Sequence, residues 1–364
     1  MKSVVIAAAV LASTVAVAGP AAASTRQPGF FIQTNAADGN AIVAYDADLR
    51  PAGTYPTGGL GGALTGAVVD RLASQGAVTL DREQGLLYAV NAGSNTITVF
   101  GVLGTRLIRL QVIGSGGTFP VSIATHGNLV YVLNARDGGS VQGFLRVGGR
   151  LIRIPSWNRG LGLDPAATPE FTHTPGQIAF TPDGRQVLVT TKANTNAVDV
   201  FAVDRLGGLS AKPVVNVETG AVPFAAAFDR RGHLAVAEAG KNAVATFEVY
   251  RDGGIAALDT AATGQAGTCW IVYARGTFYA SNAGSGTVAA YRSGPDGTLT
   301  SLGLTHTDPG TVDAAASPDG RRLYVETGGK GIVDAYRIND DGSLSATGSV
   351  SVANTTGGEG IAAG

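Results

Sequence analysis

The chain is poor in cysteine, in histidine and in charge, and each shortage removes a class of function. Its 364 residues include one cysteine, Cys269, and four histidines, and only 15% are charged. One cysteine permits no intramolecular disulfide. The formal net charge is -1, which gives nucleic acid or an anionic membrane surface no electrostatic hold. No close pair of histidines suggests zinc. Asp38-Gly39 and Asp137-Gly138 lack the further acidic ligands of a calcium loop. The glycine-rich run at 114–117 is followed by no helix signal and no Lys-Ser/Thr pair, so it is not a phosphate loop. There is no G-x-S-x-G elbow. No metal and no cofactor is expected.

Glycine is abundant, at 53 residues. Among short apolar runs it signals many tight turns, not disorder. The N-terminus reads as a secretory signal peptide over 1–23. Lys2 opens it, an apolar run from Val4 to Ala18 follows, and Ala21-Ala22-Ala23 supplies a cleavage site before Ser24. No cysteine follows the apolar run, so a lipid anchor is not indicated. Residues 24–364 are expected to form one exported domain with no membrane span, acting as a monomer on a small molecule.

A repeat organises that domain. An aromatic residue recurs at Tyr45, Phe100, Phe144, Phe201, Phe247, Tyr291 and Tyr336. A second column precedes it by about ten residues: Asn35, Asn91, Asn134, Thr191, Glu238, Asn282 and Thr327. Both columns give seven units, the last four spaced by about 45 residues. Each unit reads as four antiparallel strands, A to D. In the fourth, strand A covers 177–181, Pro182-Asp183-Gly184 turns, strand B covers 186–191 and strand C covers 197–203. The turn chemistry recurs as Ser317-Pro318-Asp319-Gly320. The first unit begins with strand B, at 30–34, and the tail at 358–364 reads as its missing strand A. The spacing therefore predicts an all-β, seven-bladed propeller closed by its C-terminal strand. Two longer gaps, near 53–75 and 155–175, fall between strand D of one unit and strand A of the next.

The Trp-Asp signature of one propeller class is absent. Instead strand B ends in Tyr-x-x-Asn, in the runs 87–100, 130–144 and 278–291. With Thr-Pro-Asp-Gly and Ser-Pro-Asp-Gly after strand A, this resembles the seven-bladed β-propeller lactonase family of 6-phosphogluconolactonases and carboxymuconate cyclases. The resemblance covers residues 29–364. It implies catalytic groups over the central channel, drawn from the segment entering strand A and from the B–C loops. The family's His-x-His-Gln falls on Thr174-Pro175-Gly176-Gln177, where only Gln177 matches. His173 lies one position before the first of those histidines. The family's B–C loop arginines fall at or near Ala197 and Ala283. Its fifth-blade glutamate is approximated by Glu238, one residue early.

Opening a lactone needs a base for water and a donor or cation for the developing oxyanion. The candidates are Glu238 as general base, Lys192 as electrophilic partner and His173 as alternative acid or base. Gln177, Thr191, Trp270, Asp313, Thr327 and Glu359 are candidate ligand-binding residues around the funnel, with Cys269 and Glu326 beside them. Each has a plainer reading. Glu238 fits a solvated or paired carboxylate, Lys192 and His173 fit solvated loop residues, and Trp270 fits packing between blades. Two functions therefore stand: a secreted lactonase-like propeller, hydrolase or cycloisomerase, and a non-catalytic extracellular binding or scaffold propeller on the same fold.

Overall fold

Short strands and tight turns build seven four-stranded antiparallel sheets arranged as a ring. The computed structural model describes Met1 and residues 27–364, so the leader expected over 1–23 lies, Met1 apart, outside the described residues. Blades 2 to 7 span 78–114, 120–160, 178–217, 223–262, 268–306 and 311–351. Strands A of successive blades meet one another around the axis, and strands D lie outermost. Blade 1 joins the two ends of the chain. Ile361–Ala363 is its strand A and pairs antiparallel with Pro28–Gln33, Phe30 opposite Ala363 and Ile32 opposite Ile361.

The turns form as their residues dictate. Thr181 Oγ1 donates to Asp183 Oδ1 at 2.7 Å, and Gly184 N–H donates to Thr181 O at 2.8 Å. Gly184 has φ +68°, a region that only glycine enters freely. Ser317, Asp319 and Gly320 repeat the geometry, with Gly320 at φ +67°. At the other end of strand B, Asn91 donates to Thr96 Oγ1 and Thr98 Oγ1, and Asn282 donates to Thr287 Oγ1. Thr191 and Thr327 close the equivalent loops, donating to Ala197 O and Ile332 O.

All seven aromatic residues of the strand C column are buried. Each such side chain stabilises the stack by about 1.5–3 kcal/mol. In strand C of blade 4, Val198, Asp199, Val200 and Phe201 are all buried, so the alternation of the sequence does not separate core from solvent there. A propeller blade is covered on both faces by its neighbours, which is why.

Both long gaps lie on the face carrying the D–A and B–C loops. Strand D of blade 3 runs Arg150–Gly160, with Pro155 inside it, so the second gap is 161–177 and not 155–175. An outermost strand has a free edge, and a residue without N–H is tolerated there. The first gap, 57–77, enters the ring. Gln75 exchanges two 2.9 Å hydrogen bonds with the Ile271 backbone, Ser74 Oγ donates to Val121 O, and Arg71 N–H donates to Gly357 O. A segment bonded to blades 3 and 6 and to the tail at once occupies the axis. The fit is close: a Cβ on Gly328 would lie 1.8 Å from Val69 O.

Candidate functional site

The channel residues expected from the sequence gather around the 57–77 segment. Trp270 Nε1 donates to Ser74 O at 2.7 Å, and its ring packs edge-on against Phe224. Glu359 Oε2 lies 3.1 Å from Ser74 Oγ, whose proton goes to Val121 O, and its Oε1 accepts from Ala77 N–H at 3.4 Å. Asp313 accepts from Ala314 N–H at 2.9 Å and Ile361 N–H at 3.4 Å. Lys192 is buried, and its ammonium donates to Ala73 O at 2.7 Å, Phe171 O at 2.6 Å and Thr174 Oγ1 at 3.1 Å. An ammonium has three protons, so all are engaged. Those bonds tie both insertions to blade 4.

This interior is unusually acidic. Asp70, Asp313, Glu326 and Glu359 are all buried. Asp70 takes three N–H bonds, from Leu72, Ala73 and Ser74, at 2.7–2.9 Å. Burial nevertheless pushes its carboxyl and that of Asp313 up to about 7. Burial and the neighbouring carboxyls raise Glu326 and Glu359 well above the usual range. Lys192 is lowered to about 7 by burial, against the opposing pull of Asp70. Burial pushes the Cys269 thiol up to about 12, so it is no nucleophile. Among the described residues no group of acidic, His or Cys side chains has metal-binding geometry.

The remaining candidates lie apart. Gln177 Oε1 accepts from Ala226 N–H at 2.7 Å, linking blades 4 and 5. Glu238 is buried and ion-paired with Lys241 at 3.1 Å. It alone among the departures from asparagine in that column leaves the loop-closing role to take a partner of its own.

His173 ends the short helix Glu170–His173 and lines a cleft of about 170 Å³ between blades 3 and 4. Its Nδ1 lies 2.9 Å from Pro169 O. Thr172 Oγ1 lies 2.9 Å from the same nitrogen, and Nε2 makes no hydrogen bond among the described residues. Arg136 lines the same cleft. Its Nε bonds Glu170 Oε1 at 2.6 Å, its Nη2 bonds Glu170 Oε2 at 3.2 Å, and the guanidinium stacks 4.3 Å from the Phe119 ring centroid. That hydrogen bond holds Glu170 down at about 2, so it stays ionised. Thr65 N–H, from the first insertion, donates to Glu170 Oε2 at 2.6 Å. Asn194 fixes the loop by donating to His173 O and Asp164 O. A histidine with an unengaged Nε2 thus shares the cleft with a fixed cation.

Sequence reasoning missed Asp70, Ser74, Arg136 and Glu170. The first two lie in an insertion outside the repeat columns, and only its length marked it. Arg136 lies two residues after Asn134 of the blade 3 column, a position from which a B–C loop side chain reaches the face.

Comparisons with known proteins agree with this architecture. A search of curated proteins finds no match. The periplasmic gluconolactonase of Pseudomonas aeruginosa superposes with a TM-score of 0.71 at 16% identity, covering 92% of this chain and 98% of its own. A Bacteroides fragilis protein, provisionally designated a 6-phosphogluconolactonase, superposes at 0.72 and 18% identity, covering 94% and 99%. Virginiamycin B lyase of Staphylococcus aureus superposes at 0.54 and 11% identity, covering 79% and 87%. Residues 235–361 match the family description Lactonase, 7-bladed beta-propeller. The chain is a seven-bladed propeller, and its residues from strand B of blade 5 through blade 7 are similar in sequence to the lactonase propeller family.

Proposed function

We propose that this is an exported lactonase-like propeller that opens a small polar lactone in the cleft of His173. One observation carries the reading: a histidine whose Nε2 is unengaged and a fixed arginine line the same concave site. His173 takes the proton of the attacking water, and the Arg136 guanidinium faces the charge that develops on the carbonyl oxygen. Glu170 and Phe119 hold Arg136 in place. Lys192 supports the site by gripping Phe171 O within the helix and Thr174 Oγ1 just after it. At about 170 Å³ the cleft is small beside common ligand pockets of roughly 300–1,000 Å³, so it suits a single ring. Export rests on the leader composition, and no described helix is long and apolar enough to cross a membrane.

A second reading, the non-catalytic binding propeller, draws on the state of the channel. The chain's own segment fills it, and Lys192 has no proton to spare for a ligand. The experiment is turnover of sugar and muconate lactones by the wild type, His173→Gln and Glu238→Gln. A fall of about 100-fold or more in His173→Gln alone supports the cleft. Loss in Glu238→Gln alone moves the chemistry to blade 5. No turnover by the wild type leaves the binding reading.

A further inference from the structure

The opposite mouth of the ring holds a second, larger site. There the last residues of strands A in blades 1, 2, 6 and 7 converge with the A–B turns of blades 2, 5, 6 and 7 on a cleft of about 430 Å³. Strand A runs from the D–A loops to the A–B turns, so this cleft faces away from both insertions. Its apolar lining includes Leu80, Val272 and Ala362. Three guanidinium groups, Arg82, Arg230 and Arg275, line it as well.

The balance of charge at this mouth is positive. Arg82 Nη2 donates to Ala316 O at 3.1 Å and Ala363 O at 2.9 Å, so carbonyl groups anchor it and no carboxylate neutralises it. Arg230 has no side-chain partner among the described residues. The carboxylate of its own turn, Asp229, is spent between blades 5 and 6, bonded to His233 Nδ1 at 2.9 Å and Ser293 Oγ at 2.6 Å. Arg275 pairs with Asp340 at 2.9 Å, but that aspartate is 96% exposed, where an ion pair holds weakly. The one carboxylate lining the cleft, Asp319, accepts from Ser317 Oγ and Arg321 N–H within its own turn. Two cations without acidic partners, above an apolar floor, form an amphipathic anion receptor.

We propose that this mouth binds a small organic carboxylate, its apolar body against Leu80 and Val272 and its carboxylate held by Arg82 and Arg230. A guanidinium offers two parallel N–H donors that match a carboxylate edge. An apolar floor favours a ring or short chain over a bare inorganic anion. The site is independent of the His173 cleft.

Calorimetric titration of the mature protein tests it, with benzoate, benzamide and inorganic phosphate as probes. Benzoate is expected to bind more tightly than benzamide, with an affinity that falls as salt rises. Arg230→Ala is expected to weaken benzoate binding about tenfold or more while leaving the thermal midpoint and any lactone turnover unchanged. Arg82→Lys keeps the charge but not the fork, and is expected to weaken benzoate binding as well. Benzamide binding as tightly as benzoate, or benzoate binding unaltered by Arg230→Ala, overturns the proposal. Phosphate binding as tightly as benzoate overturns the role of the apolar floor.

Discussion

At the scale of single residues, the interior is decided by how few partners each polar group has. Lys192 is the extreme case. Its ammonium is out of water and bridges two insertions that share no sequence with the repeat. Lys192→Met keeps the stem but strands three acceptors, and is expected to cost about 3 kcal/mol. Chemical denaturation measures the loss, and hydrogen exchange should show it concentrated in 57–77 and 161–177. A variant as stable as the wild type would deny that the clasp matters. Gly328 is a second such residue, because its missing side chain makes room for the first insertion. Gly328→Ala is expected to destabilise by about 1–3 kcal/mol through overpacking. An unchanged midpoint in the same denaturation would show that the segment yields freely. Residues also differ in how openly they declared themselves. The aromatic column was legible because each member fills one repeated gap. Asp70 was not, because a carboxylate in a loop reads as solvated until its burial is known.

At the scale of elements, the closing strand is the most exposed to test. Ile361–Ala363 offers only three residues, yet it completes the innermost row, and Glu359 just before it anchors the axial segment. Deleting 355–364 removes that strand, uncovers Phe30 and Ile32, and leaves Arg82 short of one carbonyl. The expected loss is several kcal/mol, a fall in thermal midpoint of roughly 10 °C or more. A truncated protein melting within a few degrees of the full chain would contradict strand closure as a source of stability. The tail was readable as a strand A because the first unit lacked one. The two insertions were readable only as length. Their paths depend on Gln75 meeting Ile271 and on Thr65 meeting Glu170, and neither pairing leaves a periodic trace.

At the scale of the molecule, the acidic axis sets the response to pH. The folded state holds protons on Asp70 and Asp313 up to about pH 7 and keeps Asp199 protonated to about 6. The unfolded chain releases the same protons near pH 4. Between those limits the folded form binds more protons, so stability falls as pH rises. Lys192 acts in the opposite sense, but only above about 7, where the unfolded chain holds a proton that the folded form has lost. The thermal midpoint is therefore expected to be higher at pH 5 than at pH 7. Asp313→Asn, which stays neutral throughout, should flatten the slope. A midpoint that rises from pH 5 to pH 7 would mean that these carboxyls are hydrated or paired.

The sequence by itself determined the number of blades, the turn chemistry and the closure of the ring. Those features repeat, and repetition is what local residue preferences can encode. Only the tertiary structure decided that the channel is filled, that Lys192 is a clasp and that His173 shares a cleft with Arg136. Each of those facts depends on contacts between segments that are distant in the chain and non-repeating. The desolvation that gives such residues their character exists only once the ring has closed around them.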